Sequence, residues 1–236
     1  MQTRSFRTQG LTRVSLSAVA LVAATSLVST APASEGADPL VRLRAGNERF
    51  VKGANAEVPL GQGARQPLTQ GQHPFAMVLS CADSRVPPEY IFNAGLGELF
   101  VIRSAGEVMD HSVAASLEYG AEHLHIPLLV VMGHESCGAV TAASQAEHGE
   151  GPNLDYLVTH IRAGIQRTPE EQHDLRTLIL ANVEQVINDA LTGSSILRGA
   201  SAAGHLKVVG AYYELATGRV IFSEPVGATT TVAAHK

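Results

Sequence analysis

Residues 75–85 read FAMVLSCADSR, and residues 126–138 read IPLLVVMGHESCG. Each stretch begins with an apolar, largely branched run and ends in a polar cluster, CADSR in the first and HESCG in the second. Such a run indicates a strand covered on both faces, so each polar cluster is predicted to form the loop at the carboxyl end of a buried strand. In open α/β sheets, that edge is where ligands bind.

The segments around these two strands alternate between strands and helices. We expect strands at 75–80, 98–103 and 127–132 and a closing hairpin of 206–215 and 219–222. Helices are expected at 39–53, 110–123, 138–147, 153–166 and 169–191, with a short helix capped by Ser195 and a loop over 54–71. This order predicts an α/β fold, with a mostly parallel central sheet of about five strands, an antiparallel edge strand and flanking helices.

The first 33 residues have the layout of a secretory signal peptide. Arg4, Arg7 and Arg13 precede an apolar stretch over 14–28, and a small-residue site at 31–33 ends before Ser34. The stretch is shorter than the roughly 20 residues that span a bilayer, which favours cleavage over an uncleaved anchor. We therefore expect a single catalytic domain over 34–236 with no stable membrane insertion, exported to the periplasm or, alternatively, to the extracellular medium.

The charge of the chain excludes one class of partner. Charged residues make up 17% of the chain, its formal net charge is −5, and Lys and Arg are scattered. Losing residues 1–33 would remove three Arg and no acidic residue, which moves the charge to −8. An acidic surface without a basic patch argues against nucleic acid as a partner.

Two cysteines and one histidine stand in the polar clusters, namely Cys81, His134 and Cys137. Two thiolates and an imidazole that meet at one sheet edge form a soft ligand set suited to Zn²⁺, with one tetrahedral position open. In an exported protein, two cysteines also suggest a disulfide. A disulfide needs neither His134 nor the charged residues beside Cys81, so the flanking residues favour the metal.

Asp83 and Arg85 follow Cys81 at alternate positions and can face the same side of the turn. An Asp that is ion-paired with Arg stays ionised, and it can accept a hydrogen bond from a ligand of the metal. Two alternatives remain at this point. Asp83 could be the fourth metal ligand of a closed site, or the pair could be a salt bridge that only stabilises the turn.

Several motifs, in this order, closely resemble the β-class carbonic anhydrases. They are GNERF at 46–50, CADSRVPPE at 81–89, GLGELFVIR at 95–103, SLEY at 116–119 and GHESCGAV at 133–140. The resemblance extends from about Leu40 to about Glu224 and suggests a bacterial, exported member of that family.

The resemblance implies reversible hydration of carbon dioxide to bicarbonate and a proton. By motif, Cys81, His134 and Cys137 would bind one Zn²⁺ per subunit, and Asp83 with Arg85 would gate the site and orient the reactive oxygen. Asp83 would bind the metal only in a closed, inactive state.

The resemblance also assigns substrate contacts. Gln72 would hydrogen-bond bicarbonate, and the backbone amide of Gly138 would face a substrate oxygen. Phe100, Ala105 and Tyr119 would line the pocket, some of them across a subunit interface of a homodimer or homotetramer. Two rival functions remain: hydrolysis of carbon disulfide or carbonyl sulfide on the same scaffold, and an exported structural zinc-binding protein.

Overall fold

The computed structural model describes residues 37–226. Its sheet contains five strands in this range, in the order β2-β1-β3-β4-β5. They are β1 Ala76–Cys81, β2 Leu99–Ser104, β3 Leu128–His134, β4 Lys207–Tyr213 and β5 Val220–Phe222. Strands β1 to β4 pair in parallel, and β5 pairs with β4 in the antiparallel direction. The predicted α/β fold with an antiparallel edge strand is therefore confirmed.

Helices cover both faces of this sheet. They are α1 Pro39–Val51, α2 Gln62–Arg65, α3 Pro88–Ile91, α4 His111–Glu122, α5 Gly138–Gln145, α6 Pro152–Ile165, α7 Leu175–Gly193 and α8 Ser195–Ala202. Every residue of β1 and β3 is buried, which agrees with their continuous apolar sequences. Within the described range, no helix is both long enough and apolar enough to cross a membrane.

Three local predictions need correction. Part of the predicted loop over 54–71 is ordered as α2 and a 3-10 turn at Pro67–Gln70. The long helix predicted to begin at residue 169 begins at Leu175, because the Asp174 carboxylate accepts the amide of Thr177 at 3.1 Å and caps the helix there. The cap of α8 is Ser194, whose hydroxyl accepts the amide of Leu197 at 3.1 Å.

The predicted strand ends shift by one or two residues toward the carboxyl terminus. Cys81 and His134 are the last residues of β1 and β3, whereas the sequence placed them in the loops that follow. Because β1 and β3 are parallel neighbours, with Ser80 paired to Met132, these two residues both lie at the carboxyl edge of the sheet, His134 one residue further along than Cys81. The predicted signal peptide over 1–33 lies outside the described residues. Its cleavage stays a prediction.

Helix α1 connects the start of the domain to its end through a buried side chain. Asn47 is 6% exposed. Its Nδ2 donates to the carbonyls of Gly218 at 2.8 Å and Ile91 at 3.2 Å, and its Oδ1 accepts the amide of Val220 at 2.9 Å. At Gly46, a Cβ would lie 1.9 Å from the carbonyl oxygen of Phe92, so only glycine lets the helix pack this closely.

We predict that Asn47→Ala destabilises the domain by about 2–4 kcal/mol, because it leaves three backbone groups without their partner, two of them buried and the third part-buried. Chemical denaturation of the variant and of the wild type would measure this change. The matched control is Asn188→Ala, since Asn188 is an exposed residue of α7. Equal stabilities of the Asn47 and Asn188 variants would contradict the role assigned to Asn47.

Candidate metal centre

The side chains of Cys81, His134 and Cys137 converge at the carboxyl edge of the sheet. Their ligand atoms all lie within 4.8 Å of one another, and all three residues are buried. Cys137 is the N-cap of α5, and Ser136 before it has a left-handed φ of 55°. This bend turns the chain back after β3, so that His134 and Cys137 reach the same point.

One ring nitrogen of His134 is fixed by the backbone. Nδ1 lies 2.8 Å from the carbonyl oxygen of Glu135, and a carbonyl only accepts, so Nδ1 carries the proton. Nε2 is then the atom with the free lone pair. It is buried and has no hydrogen-bond partner. A buried nitrogen in this state, with its tautomer set by a carbonyl, has the arrangement of a metal-binding imidazole.

The two thiols have different environments, and that of Cys81 favours negative charge on its sulfur. The pKa of Cys81 is lowered, first by a hydrogen bond from Cys137 and further by the backbone amide of Gly106, whose nitrogen lies 3.3 Å from Sγ. The pKa of Cys137 is raised, because its thiol is the donor to Cys81 and is buried. Cys137 nevertheless sits at the amino end of α5, where the helix dipole stabilises a thiolate. Both cysteines are free in this structure.

These residues fit a zinc ion. Two sulfurs and one imidazole nitrogen in one buried cluster form a ligand set that Zn²⁺ prefers, and three protein ligands leave room for a fourth. The unpartnered Nε2 of His134 is an independent sign of a missing partner, since buried polar atoms are rarely left unbonded.

Asp83 and Arg85 form a two-point ion pair at the rim of the cluster. Arg85 Nε donates to Asp83 Oδ1 at 2.9 Å, and Nη2 donates to Oδ2 at 2.7 Å. Hydrogen bonds from Arg85 hold the pKa of Asp83 well below its usual range. Oδ2 lies 3.9 Å from His134 Nε2, so the carboxylate borders the position where a metal would lie while both its oxygens are engaged by Arg85.

Arg103, at the end of β2, is a site residue that the sequence reasoning missed. Its Nε donates to the carbonyl oxygen of Cys81 at 2.9 Å, and its Nη2 donates to the carbonyl oxygen of Asp83. One guanidinium therefore fixes the backbone on both sides of Ala82. A charged residue at the end of an otherwise apolar strand was the available signal.

Of the predicted substrate-contacting residues, Gly138 adjoins a residue of the cluster, Ala105 adjoins a residue that contacts it, and Gln72 lies in the segment before β1. Ala105 follows β2 and precedes Gly106, whose amide touches Cys81. Gly138 is the first residue of α5 and is exposed. Gln72 is exposed in the segment before β1.

Phe100 and Tyr119 lie away from the cluster within one chain. Phe100 pairs with Met77 in the sheet register, whereas Cys81 pairs with Ser104. Four residues of strand separate these positions, which corresponds to about 13 Å. The ring of Phe100 instead packs against Tyr119, with the ring centres 6.3 Å apart, and Tyr119 is 47% exposed. A single chain does not bring these two rings to the metal centre.

Comparison with known families and relatives gives consistent results. A family model described as "Carbonic anhydrase" matches residues 76–220. Carbonic anhydrase 2 of Mycobacterium tuberculosis is 36% identical over 196 residues, which cover 78% of this chain and 91% of the relative. A carbonic anhydrase of Mycolicibacterium smegmatis is 37% identical over 196 residues, with 78% and 92% covered.

Solved structures show the same fold. Coccomyxa β-carbonic anhydrase, in complex with acetazolamide, matches with a TM-score of 0.64 and 27% identity over 80% of this chain and 86% of that one. A tetrameric β-carbonic anhydrase of the filamentous ascomycete Sordaria macrospora matches with a TM-score of 0.60 and 25% identity, over 68% and 85% of the two chains.

We predict that the purified protein holds one zinc ion per chain and that Cys137→Ser lowers zinc affinity by more than the roughly 10–100-fold that loss of an outer-shell partner costs. Competition with a chromophoric chelator would measure the affinity, and elemental analysis the zinc content. Ser144→Ala, on an exposed position of α5, is the control and should bind zinc normally. Retention of wild-type affinity by Cys137→Ser would show that Cys137 is not a ligand.

Proposed function

From the premise that this chain belongs to the β-carbonic anhydrase family and is a carbonic anhydrase lyase, we propose that it catalyses zinc-dependent, reversible hydration of carbon dioxide to bicarbonate and a proton. The observation that carries the proposal is the buried Cys81, His134 and Cys137 cluster bordered by the Asp83 and Arg85 pair. The cluster supplies metal ligands, and the pair supplies a fixed hydrogen-bond acceptor.

Zinc held by the three side chains would supply a Lewis acid that acidifies water and so makes a nucleophile available near neutral pH. Asp83 stays ionised because Arg85 donates to both of its oxygens. We assign to Oδ2, 3.9 Å from His134 Nε2, the acceptance of a hydrogen bond that orients the attacking water toward carbon dioxide. Arg85 would hold the carboxylate away from the metal, and release of Asp83 would close the site.

The product is an anion, and the chain has an amide in place to receive it. Gly138 is the exposed first residue of α5, so its amide can donate to a bicarbonate oxygen at a position where the helix dipole favours negative charge. Gln72, exposed before β1, is proposed as a second donor to bicarbonate. Both contacts depend on the proposed metal site, since they would act on a substrate that lies beside it.

We assign Phe100 and Tyr119 to the pocket of a second subunit. Strand β2 is at one end of the described sheet, and its residues are half-buried, so it offers a free edge. A copy packed against this edge would cover the rings of Phe100 and Tyr119 and could bring them to the neighbouring site. The Sordaria macrospora relative is described as tetrameric. A homodimer or a homotetramer is the assembly that we propose.

The two alternative functions have less support. Hydrolysis of carbon disulfide or carbonyl sulfide would use the same ligands, but the mycobacterial relatives carry the name carbonic anhydrase. A structural zinc site would need no Asp83 and Arg85 pair beside an open ligand position. Carbon dioxide hydration therefore remains the function that we propose.

We predict that Asp83→Asn keeps zinc but lowers carbon dioxide hydration by roughly 100-fold or more, because the amide cannot accept the hydrogen bond in the same orientation and no longer pairs with Arg85 as an anion. Stopped-flow hydration near pH 8.5, with zinc measured on the same sample, tests this. Asp155→Asn is the control, since Asp155 pairs with His148 on the surface.

The hydration rates of the wild type and of the Asp83→Asn variant test two separate claims, the reaction itself and the role of Asp83 in it. A zinc-loaded wild type without hydration activity would refute the proposed reaction and would favour a sulfur substrate or a closed site. An Asp83→Asn variant with wild-type rates would leave the reaction in place but would remove Asp83 from it.

Export is a further part of the proposal, and it rests on the sequence of residues 1–33. We predict that expression of the full chain in a Gram-negative bacterium releases a protein whose first residue is Ser34. Intact mass of the periplasmic fraction measures this, and replacing Ala31 and Ala33 with Leu should block cleavage. A full-length mass in the cytoplasm would contradict export.

A further inference from the structure

The turn after β2 contains a buried carboxyl group that the proposed mechanism does not use. Glu107 is 0% exposed and has a left-handed φ of 46°, directly after Gly106, which is also left-handed. No Lys or Arg forms an ion pair with it among the described residues 37–226. A buried acidic residue without a cation is costly, so its retention calls for a specific partner.

That partner is Asn182 of α7, which is 1% exposed. Its Nδ2 donates to Glu107 Oε1 at 3.0 Å and to the carbonyl oxygen of Gly106 at 2.8 Å. One amide group therefore holds both the side chain and the backbone of the turn. The two atoms of this pair that remain, Glu107 Oε2 and Asn182 Oδ1, are buried and without a partner.

The turn that Asn182 holds contacts the metal centre through one hydrogen bond. Gly106 receives Asn182 on its carbonyl and donates its own amide to Cys81 Sγ at 3.3 Å. The carboxyl of Glu107 also borders β3, because a Cβ on Gly133, the residue before His134, would lie 3.3 Å from Oε1. A chain of contacts therefore leads from α7 through the turn to the sulfur ligand.

We propose that Glu107 and Asn182 form a positioning pair, which fixes the turn after β2 so that the Gly106 amide stays on the Cys81 sulfur. The inference rests on the zinc site proposed above. An amide that donates to a metal-bound sulfur draws electron density from that sulfur. Because the donor is already fixed, metal binding does not carry the entropic cost of ordering it. The pair thus sets zinc affinity and the electronic character of the Cys81 ligand without touching substrate.

Burial, together with the negative charge of Cys81, raises the pKa of Glu107 to about 8. Burial thus favours the uncharged carboxyl group, and its part in the pair is the hydrogen bond that Oε1 accepts from Asn182. A glutamine has the same shape and is uncharged at every pH. It still offers Oε1 to the Nδ2 group of Asn182. Glu107→Gln is for these reasons the conservative variant.

The experiment measures metal binding by the full chain for the wild type, Asn182→Ala, Glu107→Ala and Glu107→Gln. Zinc affinity is measured by chelator competition, and cobalt is substituted to record the near-ultraviolet charge-transfer band from sulfur to metal. We expect Asn182→Ala and Glu107→Ala to bind zinc about 10–100-fold more weakly. Their charge-transfer bands should shift, whereas Glu107→Gln should keep affinity within about threefold of wild type and keep the band.

The matched control is Asn47→Ala, which removes a buried Asn with three hydrogen bonds, none of them to a residue of the cluster. It should be destabilised and yet bind metal as the wild type does. If Asn182→Ala does not fold, the double variant Glu107→Gln with Asn182→Asp replaces it. That variant keeps an amide-to-carboxylate pair but removes the donor to the Gly106 carbonyl, so its affinity should also fall.

Three outcomes would each count against a different claim. Wild-type affinity and an unshifted band in both the Asn182 and the Glu107→Ala variants would overturn the positioning pair, even if their stability fell. Absence of metal binding by the wild type would instead refute the proposed zinc site. A zinc-loaded wild type that fails to hydrate carbon dioxide would refute the proposed reaction and leave the positioning pair intact.

Discussion

The parallel pairing of β1 with β3 is the interaction on which the site depends. Neighbouring strands lie about 4.8 Å apart, so ending β1 and β3 at the same edge places Cys81 and His134 close enough to bind one ion. Because both strands are buried throughout, their ends open into a desolvated region at the edge of the sheet. The same pairing that closes the core therefore sets the distance between two of the three candidate ligands.

The backbone around the cluster is held in conformations that residues other than glycine seldom adopt. Glu107 and Ser136 both have left-handed φ angles, and such residues cost about 1–3 kcal/mol each unless their surroundings fix them. The surroundings do so here, since Asn182 binds Glu107 and Arg85 Nη2 donates to the Ser136 carbonyl at 3.3 Å. Polar contacts with elements on both sides of the cluster thus determine its shape.

The sequence was informative where the determinant is local. Continuous apolar runs predicted the strands, and polar residues at their ends predicted Cys81, His134, Asp83 and their neighbours at one edge. Asn182 was missed because its role depends on a contact with a residue 75 positions away, and nothing in α7 itself marks it. Phe100 could be assigned to a pocket only by family resemblance, because the single chain leaves it about 13 Å along the strands from Cys81.

The contact of α1 with the closing hairpin has a consequence for the order in which the domain can form. Asn47 bonds to residues 171 and 173 positions later, so its partners are among the last parts of the domain that a ribosome releases. The contacts of α1 with α3, such as the hydrogen bond from Asn47 to the Ile91 carbonyl, span only 44 positions and can form earlier. Contacts as distant as those with the hairpin are entropically costly to close and tend to form late. Helix α1 thus completes its buried polar contacts only after nearly all of the domain has been synthesised.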